Sequence, residues 1–399
     1  MSKAFALGQL RKHGRASVVA TVKHHCCNGV QLGKLARYFH DTNDGPGMLY
    51  LENLGVVVGQ VDREGWDQLR ASAALDDVSG AVPLQPVTGT GSAADVAAAP
   101  ELSWGLEKIG VPELWAKGLT GRGVLVAHLD TGVDGTHPSL AGAMREFAEF
   151  DALGQAISGA AVADSALHGT HTAGIIAGRP GGPFTIGVAP GCKLVSGAVI
   201  EGGDPVKRIL AGLNWALGFP VKVLNLSAGF EGHFQQYAPL VKKVRARGVL
   251  PVFAAGNSGA GTSYAPANYR DAMAVGSVDA DGNVDPDSSS EKLKQRTDAR
   301  VPDLAMPGVD VISANAGGGY RADSGTSMAA PHAAGLAALL WEAFPLATVD
   351  QVEKAIYASC SLAGSMTTDR AGRGLPNGVR ALAALEAAMT KKGRAAVTS

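Results

Sequence analysis

VLVAHLDTG, residues 124–132, is the stretch whose reading decides the fold. Apart from His128 its first six residues are apolar, and Asp130 and a Gly turn close it. A continuous apolar run of this length, bounded by turn residues, reads as a strand buried on both faces. Lys193–Val199, Val221–Leu226 and Val249–Ala254 read the same way. Helical spacing recurs between and beyond them, at His171–Ala177, Val206–Leu217, Ala238–Arg247 and Thr326–Ala343, then at Asp350–Ala358 and Asn377–Ala388. Buried strands alternating with helices predict an α/β domain, a mainly parallel sheet with helices on both faces. Its expected span is 100–390, with 391–399 a flexible tail.

Upstream the pattern differs. Ser17–Lys23 alternates like a strand, Val30–Phe39 has helical spacing, and Met48–Glu52 and Gly55–Val61 are strand-like runs joined by Asn53-Leu54. Asp62 can cap a helix through Ser72, and Gly80–Val87 resumes a strand. The order β-α-β-β-α-β is the split, ferredoxin-like motif, so residues 1–87 are expected to form a small α+β domain. Residues 88–99, TGTGSAADVAAA, are small and polar, the composition of an exposed linker.

Composition narrows the function. Glycine supplies 53 of 399 residues, nearly twice the ~7% average, which fits many tight turns and close backbone approaches. The net charge is -1, so no global field recruits nucleic acid or an anionic membrane. No apolar run approaches the ~18 residues of a membrane span. Residues 1–40 hold seven Lys or Arg and no acid, and residues 41–95 hold nine acids and two Arg. The start lacks the apolar segment of a secretory signal, and four cysteines make no disulfide framework in a chain of this size. A cytoplasmic setting is expected, with export by another route left open. The pair Cys26-Cys27 after His24-His25 has the wrong spacing for structural zinc.

Four segments carry chemistry: HLDTGVD (128–134), HGTHTAG (168–174), AAGNSG (254–259) and GTSMAAPH (325–332). Asp130 ends a strand, where open α/β sheets build sites. His168 begins a helical run, Ser327 opens the long apolar helix, and Asn257 lies in a Gly-flanked turn. A serine hydroxyl becomes a nucleophile when an imidazole takes its proton and a carboxylate orients that imidazole. The oxyanion then needs donors, which a helix-start N–H and an Asn amide supply. Asp130, His168, Asn257 and Ser327 fill those roles.

With these motifs the sequence resembles the subtilisin-type serine endopeptidases (subtilases), from about Trp104 to about Ala388, about 70% of the chain. Asp…His…Ser is the order that family uses. The resemblance implies a subtilisin-like fold, with Asp130 orienting His168, His168 as general base and acid, and Ser327 as nucleophile. It implies an oxyanion hole from Asn257 and the Ser327 amide. Ser227, Ala228 and Gly229 match one strand edge that pairs with an extended peptide, and Gly202 and Gly203 the opposite edge. Ala254, Ala255 and Gly256 match the floor of the pocket before the cleaved bond, where a neutral, apolar side chain is expected. Protein or peptide substrates follow.

The first 87 residues resemble a subtilase propeptide, an intramolecular inhibitor, with self-cleavage expected within 86–100; a retained regulatory domain is the rival. No cofactor is implied. Many relatives hold calcium in the loop after the histidine helix, but RPGGPFT (179–185) has no carboxylate. Asp and Asn elsewhere, such as DADGNVDPD (279–287), could hold a different ion, but a solvated polar loop is the expected reading there. His128 stands where relatives usually carry an aliphatic residue, and is expected to be a satisfied buried or semi-buried histidine, with a role in tuning the triad the alternative. The rival to an enzyme is a catalytically silent peptide-binding module.

Overall fold

The computed structural model describes residues 2–23, 26–41, 47–81, 94–95, 102–200, 205–294 and 300–397. Its N-terminal part runs α1 (Ser2–His13), β1 (Ala16–Val22), α2 (Gly29–Ala36), β2 (Met48–Leu51), β3 (Val56–Val61), α3 (Arg63–Ala71) and β4 (Leu75–Gly80). The four strands pair antiparallel in the order β2-β3-β1-β4, the arrangement the split motif produces. Asn28 and Asp62 cap α2 and α3 through their side chains. Trp66, Leu69, Val18 and Val57 form a core between helices and sheet.

Two features differ from the sequence reading. The helix α1 was not foreseen, because among its described side chains only Ala6 and Leu10 are buried, too few to mark an apolar face. A strand Leu75–Gly80 was not foreseen, and of the expected strand Gly80–Val87 residues 82–87 lie outside the described residues. Asp76 and Asp77 hid it: β4 is an edge strand and both acids face water.

A short strand, β5 (Ala94–Asp95), precedes the larger part. There β6 (Leu125–Asp130), β7 (Met144–Glu149), β8 (Lys193–Ala198), β9 (Val223–Leu226), β10 (Leu250–Ala254), β11 (Met273–Val278) and β12 (Leu304–Pro307) form one sheet. Its order is β12-β11-β10-β9-β6-β8-β7, and every pairing is parallel. The chain leaves β8 on one side of β6 and returns at β9 on the other, so the carboxyl end of β6 lies at a topological switch point.

Period-2 alternation divides β6 between two cores. Val126 faces α4 (His168–Ala177) and α7 (Thr326–Ala343). Ala127 and Leu129 face α5 (Pro205–Ala216) and α6 (Ala238–Ala246). Helix α7 is buried from Thr326 to Trp341, as expected of a helix apolar all round. Strands β13 (Val311–Ala314) and β14 (Tyr320–Asp323) form a hairpin that leads into α7, and β5 pairs with the free edge of β14. Of the helices that follow, α8 (Val349–Ser359) and α9 (Gly378–Val397) are the long ones. The helix expected to stop near Ala388 runs on through Val397, sustained by strong helix formers such as Ala, Lys and Arg.

The N-terminal sheet packs on the larger part. Val19, Leu51, Leu54, Val56 and Val58 share one apolar cluster with Leu213 of α5 and Leu240 and Val244 of α6. Asn53 donates from its backbone N to Asn214 Oδ1 (2.7 Å) and from its side chain to Asn214 O (2.9 Å). Lys243 Nζ donates to Leu54 O at 2.5 Å. Among the described residues no helix is long and apolar enough to cross a membrane.

Candidate active site

Asp130 ends β6 and is 0% exposed. Its Oδ1 accepts from Thr131 N (2.8 Å) and from His168 Nδ1 (2.6 Å), and its Oδ2 from Thr172 Oγ1 (3.1 Å). His168 opens α4 after Leu167, whose φ of 68° is left-handed. Asp164 holds that entry: its carboxylate accepts from Thr131 Oγ1, Ala166 N, Thr170 N and Thr170 Oγ1. Gly169 must be glycine, because a Cβ there would run into Gly132 O.

Electrostatics match the geometry. Burial alone would lower the His168 pKa, but the Asp130 charge and hydrogen bond, with Asp323 and Asp164 beyond, raise it above the ordinary histidine value. Burial pushes Asp130 upward, and the charge and hydrogen bond of His168 outweigh it, so the carboxyl lies below its usual range. His168 Nε2 is buried without a hydrogen-bond partner.

Ser327 is the second residue of α7, after Gly325 at φ 138°. Its Oγ donates to Ser227 O at 3.0 Å, and Ser227 Oγ donates back to Ser327 O at 2.9 Å. Pro331 explains the second bond. It has no N–H for the carbonyl four residues earlier, and the Ser227 hydroxyl supplies the missing donor. Ser227 thus lies beside Ser327 at the carboxyl end of β9, with Ala228 and Gly229 following it in the chain.

Ala254, Ala255 and Gly256 leave the neighbouring β10 and are buried, and Gly256 N donates to Thr326 Oγ1. Asn257 follows. Its Oδ1 accepts from Thr326 N (2.9 Å) and Thr326 Oγ1 (2.8 Å), which fixes the amide, and its Nδ2 is buried without a partner. Gly202 and Gly203 lie outside the described residues.

Sequence reasoning named the principal residues and missed their supports. Asp164 carries a visible signal, an acid shortly before a helix start. Thr172 lies inside the quoted HGTHTAG motif. Ser196 gave no signal, since its place beside His128 depends on strand register. His171 donates to Val311 O and Arg321 O and so ties α4 to the hairpin, while burial drives its pKa to about 3.

Ser196, His128 and Asp130 make a second Ser–His–Asp contact series, but all three are 0% exposed and Ser196 lies in mid-strand. The candidate calcium stretch closes on itself, with Asp279 accepting from Asn283 N and Nδ2. Among the described residues no group of three or more His, Cys, Asp or Glu side chains is placed to hold a metal ion.

A serine at a helix start and a carboxylate-bound histidine, set at the switch point of a parallel α/β sheet, define the class: a serine hydrolase. The chain belongs to the subtilase family, whose model matches residues 121–379. It is 37% identical to Subtilisin Savinase of Lederbergia lenta over 282 residues, 70% of this chain and 98% of that protein. It is 37% identical to an alkaline protease of Alkalihalobacillus alcalophilus, over 70% of this chain and 69% of that one. With the major intracellular serine protease of Bacillus subtilis (strain 168) it shares 34% identity, over 66% of this chain and 81% of the relative. The protein is a subtilisin-like serine endopeptidase, and its substrates are proteins or peptides.

Proposed function

We propose that Asp130, His168 and Ser327 are the catalytic triad and that Asn257 Nδ2 and the Ser327 N–H bind the oxyanion. The observation that carries this reading is the 2.6 Å bond from His168 Nδ1 to Asp130, with Nε2 left unpaired. His168 Nε2 takes the Ser327 proton as Oγ attacks the scissile carbonyl, which requires Oγ to turn away from Ser227 O. The negative oxygen then meets two donors, Asn257 Nδ2 and a first-turn N–H that no helix carbonyl can take. His168 returns the proton to the leaving amine, and water hydrolyses the acyl-enzyme by the same route. The backbone of Ser227–Gly229 pairs with the extended substrate, and Ala254–Gly256 accept a neutral, apolar side chain. Base, acid and oxyanion donors all come from the chain, so the mechanism takes no cofactor.

Residues 1–87 act as an intramolecular inhibitor and are released by self-cleavage within 86–100. Their packing on α5 and α6 supports this, as does β5, which pairs with β14 just before the chain enters Ser327. A fluorophosphonate probe tests the triad: it labels wild type at Ser327 and spares Ser327→Ala, and no label on Ser327 after removal of residues 1–95 refutes it. Intact masses test processing, since a fully active wild type that stays as long as Ser327→Ala rules out self-cleavage.

A further inference from the structure

Behind Asp130 a polar row interrupts the apolar layer between the large sheet and α4. Register places Ser196 of β8 and Asn225 of β9 directly beside His128 of β6, and all three are 0% exposed. The same faces of these strands otherwise carry Val126, Leu194 and Val223. A buried imidazole costs free energy unless both nitrogens find partners, and here both do. Nδ1 is 3.0 Å from Ser196 Oγ and Nε2 is 2.8 Å from Thr172 Oγ1. Thr172 Oγ1 in turn reaches Asp130 Oδ2 at 3.1 Å and Gly169 O at 3.2 Å.

Counting protons fixes the direction of this chain. Asp130 Oδ1 is supplied by Thr131 N and His168 Nδ1, whereas Oδ2 has the Thr172 hydroxyl, which carries one proton. With the His128 proton on Nδ1, Thr172 would have to donate to Nε2, and Oδ2 would lose that donor. With the proton on Nε2 every group from Ser196 through His128 and Thr172 to Asp130 is paired: Ser196 O–H to Nδ1, Nε2–H to Thr172 Oγ1, and Thr172 O–H to Oδ2. A donor on the far side of a hydroxyl also strengthens what that hydroxyl donates.

We propose that His128 is a positioning residue for the Asp130–His168 pair, aiming the Thr172 hydroxyl at Asp130 Oδ2 and so holding Oδ1 toward His168. The inference rests on the triad reading above. Burial lowers the His128 pKa against the raising charges of Asp130 and Asp164, and His168 lowers it further; the ring is neutral. Those three are the titratable groups acting on it, from its own strand, the loop before α4 and α4 itself. The flanking strands present uncharged Ser196 and Asn225.

A donor on Oδ2 spreads the carboxylate charge and weakens its hold on a protonated His168. Removing it moves the acid limb of kcat/KM to higher pH and lowers kcat, with KM nearly unchanged. His128→Val and Thr172→Val are expected to raise the limb by about 0.5–1 unit, a 3–10-fold change in acidity, and to cut kcat by roughly tenfold. His128→Gln, whose amide reaches as far as Nε2, restores the wild-type limb; His128→Asn, too short for Thr172, does not. Thr172→Val conserves shape and decides the matter should His128→Val not fold.

Fluorophosphonate labelling of the wild type, repeated after removal of residues 1–95, separates the two readings. With Ser327 labelled, an unmoved limb in both Val variants, or a Gln variant that behaves like Val, overturns the role of His128 alone. With Ser327 unlabelled the triad reading fails, and the low-field NMR resonance of the His168 Nδ1 proton, visible without turnover, replaces the pH profile. An unmoved midpoint of its titration in both Val variants overturns the proposal.

Discussion

Asn53 offers the cleanest handle on the proposed inhibitor. It stands on the turn between β2 and β3, away from the N-terminal core around Trp66, and makes two bonds to Asn214 of α5. Asn53→Ala removes only the side-chain bond to Asn214 O, because alanine keeps its backbone N–H. Asn214→Ala removes only the bond at Oδ1, because its backbone carbonyl persists. A neutral hydrogen bond contributes a net ~0.5–1.5 kcal/mol, so each variant shifts the docked-to-undocked equilibrium by about 2–13-fold. The bonds use different atoms, and the double variant should shift it by about 5–160-fold if they add. The assay is the initial rate of fluorogenic peptide hydrolysis by full-length protein, its integrity checked by mass. Rates should rise from wild type through the single variants to the double. Leu54→Asp, which puts a carboxylate into the apolar contact, marks the upper end. Equal rates in all variants, with faster amide exchange around Asn53, would refute inhibition by this sheet. Unchanged exchange would refute the bond energies.

Asn257→Ala should lower kcat with little change in KM, since Nδ2 has no partner until charge develops on the substrate. The size, roughly 10²–10³, is the figure known for the corresponding amide of a subtilisin; a loss confined to KM contradicts the oxyanion role. His332, fully buried on α7 with its pKa lowered to about 4 by burial, makes acid stability testable. Below the ordinary histidine value near 6.5 the unfolded chain takes up a proton that the folded chain refuses. Stability therefore falls with pH between about 6.5 and 4, at up to ~1.4 kcal/mol per pH unit from this residue. Urea unfolding between pH 6 and 4.5 should show a slope shallower by about that amount in His332→Gln, and equal slopes would refute it.

The fold was legible where sequence and burial share a period. VLVAHLD and its companions are apolar because helices cover both faces, and Thr326–Ala343 emerged with the bounds read from its pattern. The positions proposed for the triad stood out because each sits on a turn with a chemical signature: an acid at a strand end, a histidine at a helix start, a serine after Gly325. Edge strand β4 was missed because an edge tolerates Asp76 and Asp77, and α1 because it buries only a narrow strip. Of the polar row only His128 was legible, and its partners were not. That Ser196 faces His128 depends on which residues of two distant strands pair, and nothing local encodes this. Asn53–Asn214 likewise joins two unremarkable asparagines 161 positions apart.

His168 Nε2 and Asn257 Nδ2 are buried without partners, and an unpaired buried polar atom costs about 1–3 kcal/mol. Loose packing does not explain it, because the other end of each group is held at 2.6–2.9 Å. Turning the Asn257 amide over would set Nδ2 against the Thr326 N–H, donor against donor, so its orientation is enforced. The Ser327 hydroxyl, by contrast, is satisfied by Ser227 O. On the proposed roles the start of the reaction exchanges one hydrogen bond for another at Ser327, a step near neutral in free energy. Nε2 gains its partner in that exchange and then takes the proton, whereas Nδ2 gains one only as the oxyanion forms. The free site thus leaves unmade the bonds that the transition state makes, and interactions of that kind lower the barrier without tightening the ground state.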